Sequence, residues 1–71
     1  MKLLINGNDR EFDSLLPGTS LLELLSELGF KSDRIAIEHN GAIVPRDRWA
    51  ETVLSEQDKL EIVHFVGGGL L

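Results

Sequence analysis

A single segment of this 71-residue chain carries a helical repeat, and that limits the fold more than any other feature. Leu21, Leu24, Leu25 and Leu28 fall at i, i+3, i+4 and i+7, which places them in one apolar stripe. Ser20-Leu21-Leu22-Glu23 has capping-box spacing, so the Ser20 hydroxyl and the Glu23 carboxylate can satisfy each other's backbone N–H groups. Gly29 is placed to end the helix in a left-handed conformation. The spacing predicts a helix over 20–28. One helix can cover one face of one sheet and no more.

The rest of the chain reads as strands. Lys2–Asn6 is the first, Gly7-Asn8 is a candidate turn, and Arg10–Asp13 is a short second strand. Pro17-Gly18 marks a turn before the helix. After the helix, 35–39 is strand-like, and Asn40-Gly41 is a strong hairpin signal. The return strand Ala42–Val44 stops at Pro45. A turn with a loose helical piece follows over 45–50, where Trp49 can cover one end of the core. Thr52–Leu54 is a short extended candidate, and Lys59–Val66 is the last strand.

Two hairpin-like halves around one helix, with no repeated α–β alternation, predict an α+β fold with a mixed sheet of four to five strands. The first and last strands can lie side by side and parallel, with the helix in the crossover. That is the β-grasp arrangement. The expected organisation is one domain over 1–65 and a flexible Gly-rich tail over 66–71.

Composition removes several functional classes. There are no cysteines, which excludes disulfides, thiolate nucleophiles and Cys-based metal sites. The net charge of −5 argues against nucleic acid as a partner, because phosphate binding needs a basic surface. The apolar runs are too short to span a bilayer. The N-terminal segment lacks the apolar region and cleavage site of a signal peptide, which fits a cytoplasmic protein. His39 and His64 each stand on a strand without a second ligand at metal spacing, so pairing or surface roles are expected and no metal. Asp9, Glu11 and Asp13 alternate as a solvated face, and Arg46-Asp47-Arg48 reads as a surface ion-pair cluster. The serines have no His-and-acid partner to activate them. No catalytic residue emerges, and the chain is expected not to be an enzyme.

Two features ask for a function. Gly67-Gly68-Gly69 is a poor strand former and leads only to Leu70-Leu71. A segment without side chains can thread a narrow tunnel, and six residues from Val66 reach about 20 Å when extended. The competing reading is a frayed terminus or a cloning remnant. The second feature is parity in the last strand. Leu60, Ile62 and His64 point one way, while Glu61, Val63 and Phe65 point the other. If the helix covers Leu60 and Ile62, then Val63 and Phe65 form an open apolar patch beside the glycines, unless the 45–54 loop and Trp49 cover it.

The chain resembles the ThiS family of ubiquitin-like sulfur carriers of thiamine synthesis over nearly its whole length. The stretches that carry the resemblance are Ile5-Asn6-Gly7, the Gly18–Leu28 helix entry, Asn40-Gly41, Ile43-Val44-Pro45-Arg46 with Trp49, and Asp58 through Gly69. The resemblance implies a protein cosubstrate whose C-terminal glycine is adenylated by a ThiF-like enzyme with Mg-ATP. Sulfur from a cysteine desulfurase then replaces AMP, and the thiocarboxylate serves a ThiG-like thiazole synthase. Gly67, Gly68 and Gly69 would be the sulfur-carrying end, with Val63, Phe65 and Val66 binding partners. The chain departs from the family pattern by continuing to Leu70 and Leu71. This predicts an inactive precursor, cut after Gly69 by a JAMM-like peptidase. Sulfur supply to cysteine or homocysteine synthesis, and a purely non-covalent ubiquitin-like binding module, remain alternatives.

Overall fold

The computed structural model describes residues 1–30 and 34–64. The elements run β1 (Lys2–Ile5), β2 (Asn8–Glu11), α1 (Leu21–Leu28), β3 (Ile35–His39), β4 (Ala42–Ile43) and β5 (Lys59–His64). They form one five-stranded mixed sheet in the order β2-β1-β5-β3-β4. β1 and β5 are parallel, and the other three pairings are antiparallel. The last strand in sequence therefore lies in the middle of the sheet. Helix α1 sits in the crossover, as the expected β-grasp arrangement requires.

The helix starts and stops where its sequence says it should. The Ser20 hydroxyl accepts from the Glu23 N–H at 3.1 Å, and the Glu23 carboxylate accepts from the Ser20 N–H at 3.0 Å. Gly29 adopts φ +79°, and its N–H reaches the carbonyls of Leu25 and Ser26. Leu21, Leu24 and Leu25 are buried, and Leu28 packs at the edge of the same core. They meet Leu3, Ile5, Ile35, Ile37, Leu60 and Ile62, the inward positions of β1, β3 and β5. Trp49 closes one end as expected: it is buried, and its indole N–H donates to the Val44 carbonyl at 2.9 Å.

Three boundaries differ from the sequence reading, each for a local reason. The first turn is Asn6-Gly7 rather than Gly7-Asn8. Both residues take positive φ, +50° and +83°, the geometry of a two-residue hairpin turn. Asn8 is thereby already in β2, paired with Ile5, and β2 spans Asn8–Glu11 rather than Arg10–Asp13. Phe12 leaves the strand to enter the core. β4 stops at Ile43, although the Val44 N–H still bonds to the Ile37 carbonyl. Thr52–Leu54 is extended but does not join the sheet. It pairs with the segment before the helix, through Gly18 N–H to Leu54 C=O and Leu54 N–H to Thr19 C=O, both 2.8 Å. Leu54 is fully buried there. The end of the predicted last strand, Phe65-Val66, lies outside the described residues, as does the whole 66–71 tail.

A polar knot ties the β3–β4 turn to the start of β5. The Asp58 carboxylate meets the His39 ring nitrogen at 2.7 Å, the Asn40 amide at 3.2 Å and the Ser55 N–H at 2.9 Å. Burial pushes the Asp58 carboxyl up. The His39, Ser55 and Asn40 hydrogen bonds outweigh it and leave the carboxyl below its ordinary value. A depressed folded value stabilises the native state above the ordinary carboxylate range, and that contribution is lost as pH falls through the folded value. The Asp58→Asn variant is expected to lose about 2 kcal/mol at pH 7, since charge-assisted bonds are removed. Its deficit against wild type is expected to shrink below about pH 4. Urea midpoints at pH 7, 5 and 3 measure both.

Candidate functional site

The strand that leads towards the glycines is the most constrained in the sheet. β5 has β1 on one side and β3 on the other. The antiparallel register with β3 runs from His39↔Leu60 to Ile35↔His64, so pairing continues to the last described residue. On the β1 side, register stops at Ile5↔Leu60. The His64 ring stands edge-on to Phe30, with centroids 5.2 Å apart. Phe30 follows directly on the Gly29 helix stop and packs at the core edge. This gives His64 a packing role on the helix side of the sheet, where parity placed it. His39 is engaged with Asp58, as described above. Among the described residues, no three His, Cys, Asp or Glu side chains come together as a metal cage.

The other face of the sheet has no helix over it. Val63 is 54% exposed on that face, directly opposite Ala36 of β3. Neither Trp49 nor the 45–54 loop covers it, because both pack on the helix side or at the rim. The adjacent rung opposes Glu61 to Glu38, and Ile43 lies beyond Glu38 on β4. Ile43 is 68% exposed. The next position along β5 on this face is Lys59, opposite Leu4 of β1. The open face thus carries the apolar Leu4, Ile43 and Val63 among charged side chains, with Glu38 and Glu61 opposed and Lys59 beside them. Two carboxylates directly across an antiparallel rung repel each other, which costs a few tenths of a kcal/mol. Other exposed apolar side chains, Leu16, Leu22 and Val53, lie around the start of the helix, away from this face.

Sequence reasoning singled out Val63 on this face through strand parity. Parity put Glu61 there as well, but it did not identify Leu4, Glu38 or Ile43 as sharing that face. Their own alternation was visible, but which strands lie next to β5 follows only from the sheet order. Phe65 and Val66, assigned to partner binding, lie outside the described residues. So do Gly67, Gly68, Gly69, Leu70 and Leu71.

With this geometry in hand, the comparisons with known proteins are decisive about family. Residues 3–69 match the model of the ThiS family. The chain belongs to the ThiS family. Among its relatives, the Sulfur carrier protein ThiS of Bacillus subtilis is 33% identical over 67 residues, covering 94% of this chain and 98% of that one. A thiazole synthase of Paramagnetospirillum magneticum is 45% identical over 69 residues, or 97% of this chain. The chain spans only 20% of that larger protein's length. The crystal structure of the thiamine biosynthesis protein ThiS from Geobacter metallireducens superposes with a TM-score of 0.83 at 30% identity, covering 97% of this chain and 100% of that one. The ubiquitin-like β-grasp fold of the ThiS family is therefore the fold of this chain. The family match stops at Gly69, two residues before the end of the sequence.

The two faces of β5 separate experimentally. Val63→Thr keeps a β-branched shape on an exposed position and is expected to move the melting temperature by no more than about 3 °C. Leu60→Ala opens a cavity under α1 and is expected to lower it by roughly 15 °C or to unfold the protein. Thermal unfolding followed by circular dichroism checks the pair.

Proposed function

We propose that this chain is a sulfur carrier of the ThiS type, a protein cosubstrate without catalysis of its own, serving thiazole formation in thiamine synthesis. The observation that carries the reading is the continuity of the family match through Gly69, on a strand that lies between two others to Leu60 and stays paired with β3 to His64. Supporting it are the names its relatives carry: a sulfur carrier of nearly the same length, and thiazole synthases matched over a fifth of theirs.

The chemistry assigns separate tasks to carrier and partner. A carboxylate is a poor acyl donor until one oxygen becomes a leaving group. In the proposed sequence a glycyl carboxylate attacks the α-phosphorus of Mg-ATP in a ThiF-like adenylyltransferase. Pyrophosphate leaves, and an acyl adenylate forms. The terminal sulfur of a persulfide supplied by a cysteine desulfurase adds to the acyl carbon and AMP leaves; a thiol then attacks the inner sulfur of the resulting acyl disulfide, forming a disulfide and releasing the thiocarboxylate. A ThiG-like thiazole synthase receives the sulfur. The carrier contributes a slender end that fits a confined active site, and a surface by which partners hold it. The open face with Leu4, Ile43 and Val63 is the surface proposed for that grip, with Phe65 and Val66 continuing the set. No basic patch for nucleic acid is part of the reading, and among the described residues no helix is long and apolar enough to cross a membrane. A cytoplasmic setting is proposed, where ATP and the partner enzymes would be available.

The Gly69 carbonyl is engaged in a peptide bond to Leu70, so it has no carboxylate to activate. Cleavage of Gly69–Leu70, in our reading by a JAMM-like zinc peptidase, must precede activation. Intact-mass analysis after incubation with the adenylating enzyme, Mg-ATP and a sulfur source tests both steps. The chain ended at Gly69 is expected to gain the mass difference of sulfur for oxygen, and the 71-residue chain to stay unchanged. Modification of the full chain at Leu71 contradicts the precursor step. An inert Gly69-ended chain contradicts the carrier reading and favours a non-covalent binding module.

A further inference from the structure

Beyond Leu60, β5 has outrun its parallel neighbour. Asn6 turns away at φ +50° to begin the hairpin, so β1 offers no further strand. The ladder up to that point is regular: Leu4 N–H to Asp58 C=O at 3.0 Å, then Asn6 N–H to Leu60 C=O at 2.9 Å. In a parallel ladder the next rung would take the Ile62 N–H to the main-chain carbonyl of residue 6. The side chain makes that rung instead. The Asn6 Oδ1 accepts from the Ile62 N–H at 2.7 Å, and the Asn6 Nδ2 donates to the Ile62 carbonyl at 3.1 Å. One primary amide thus satisfies both polar groups of one peptide position, as a strand would.

The other flank of β5 repeats the device. Asn40 also opens an Asn-Gly turn at positive φ, +51°. Its Oδ1 accepts from the Lys59 N–H at 2.8 Å, and its own N–H donates to the Lys59 carbonyl at 2.8 Å. Asn40 grips the entry of the strand and is reinforced by Asp58. Asn6 grips it three residues further on, near the end from which the chain continues towards Gly67. No other side-chain hydrogen bond reaches the β5 backbone beyond Leu60 among the described residues.

We propose that Asn6 is a positioning residue, whose side-chain amide substitutes for a strand at Ile62 and fixes the root from which the glycine segment is presented to an activating enzyme. This rests on the carrier reading above. With the clamp closed, the root has one direction relative to the open face that partners grip. With it open, both polar groups of Ile62 lose their partner and the strand end samples other arrangements. Only the fraction in the competent arrangement then binds productively, which raises the apparent KM without touching the chemical step.

The choice of substitution isolates the clamp from the turn. Glycine adopts positive φ freely, so Asn6→Gly keeps the hairpin and deletes only the amide. Asn6→Asp also tolerates that conformation and keeps the acceptor for Ile62 while losing the donor. In the chain ended at Gly69, Asn6→Gly is expected to speed amide hydrogen exchange at Ile62 by roughly tenfold or more, the worth of one to two net hydrogen bonds. The KM for adenylation is expected to rise by a similar factor with kcat within about twofold, and Asn6→Asp to fall between. Ser20→Ala serves as the control, since it removes a helix cap remote from the root at comparable cost to stability. Its KM should stay at the wild-type value. Unchanged Ile62 exchange in Asn6→Gly overturns the proposal, as does a KM rise equalled by Ser20→Ala. If the wild-type Gly69-ended chain is not adenylated at all, the carrier reading fails, and slow Ile62 exchange restored by Asn6 still upholds the clamp.

Discussion

The structure depends on one placement: the last strand runs through the middle of the sheet. β5 takes main-chain bonds from β1 on one side and β3 on the other, and its inward residues Leu60 and Ile62 lie in the core. A strand so placed cannot slip by one residue without turning Leu60 and Ile62 out and Glu61 and Val63 in. Both flanking Asn-Gly turns add side-chain bonds to the same strand. The end of β5 is therefore secured from three directions: β3 on one side, the Asn6 amide on the other, and the core.

A chain of this length can afford one helix, and the consequences run through the surface. α1 covers the face built from Leu3, Ile5, Ile35, Ile37, Leu60 and Ile62. The opposite face keeps Leu4, Ile43 and Val63 in contact with water, next to the opposed Glu38 and Glu61. A solitary domain gains nothing from exposing branched apolar side chains beside a repelling carboxylate pair. A domain that must be held by another protein gains a contact surface adjacent to the end it presents.

Much of this was legible in the residues, and what escaped was either a local boundary or a long-range contact. The capping box, the leucine stripe and the Gly29 stop are local rules, and the helix obeys all of them. Parity in β5 correctly put Leu60 and Ile62 inside and Val63 outside. The Asn40-Gly41 turn was correct, while the first turn lay one residue earlier than expected, because Asn6 as well as glycine can hold positive φ. The larger misses need a partner far away in sequence. Asp58 meets His39 across 19 positions and Asn6 meets Ile62 across 56, and no spacing rule reaches that far. For the same reason Glu38 and Glu61 looked like ordinary surface charges until the sheet order set them face to face. An Asn in an Asn-Gly turn reads as turn chemistry; its amide's second use becomes visible only with the neighbouring strand in place.

The central claim is that partners hold the open face of the sheet while the strand beneath it presents the chain end. Methyl-resolved NMR titration of the labelled protein with a ThiF-like adenylyltransferase tests this directly. The account predicts that the methyl signals of Leu4, Ile43 and Val63 shift or broaden on binding while those of Leu22 and Leu16, on the helix side, stay in place. Perturbation centred on Leu16 and Leu22, with Ile43 and Val63 unmoved, would contradict it.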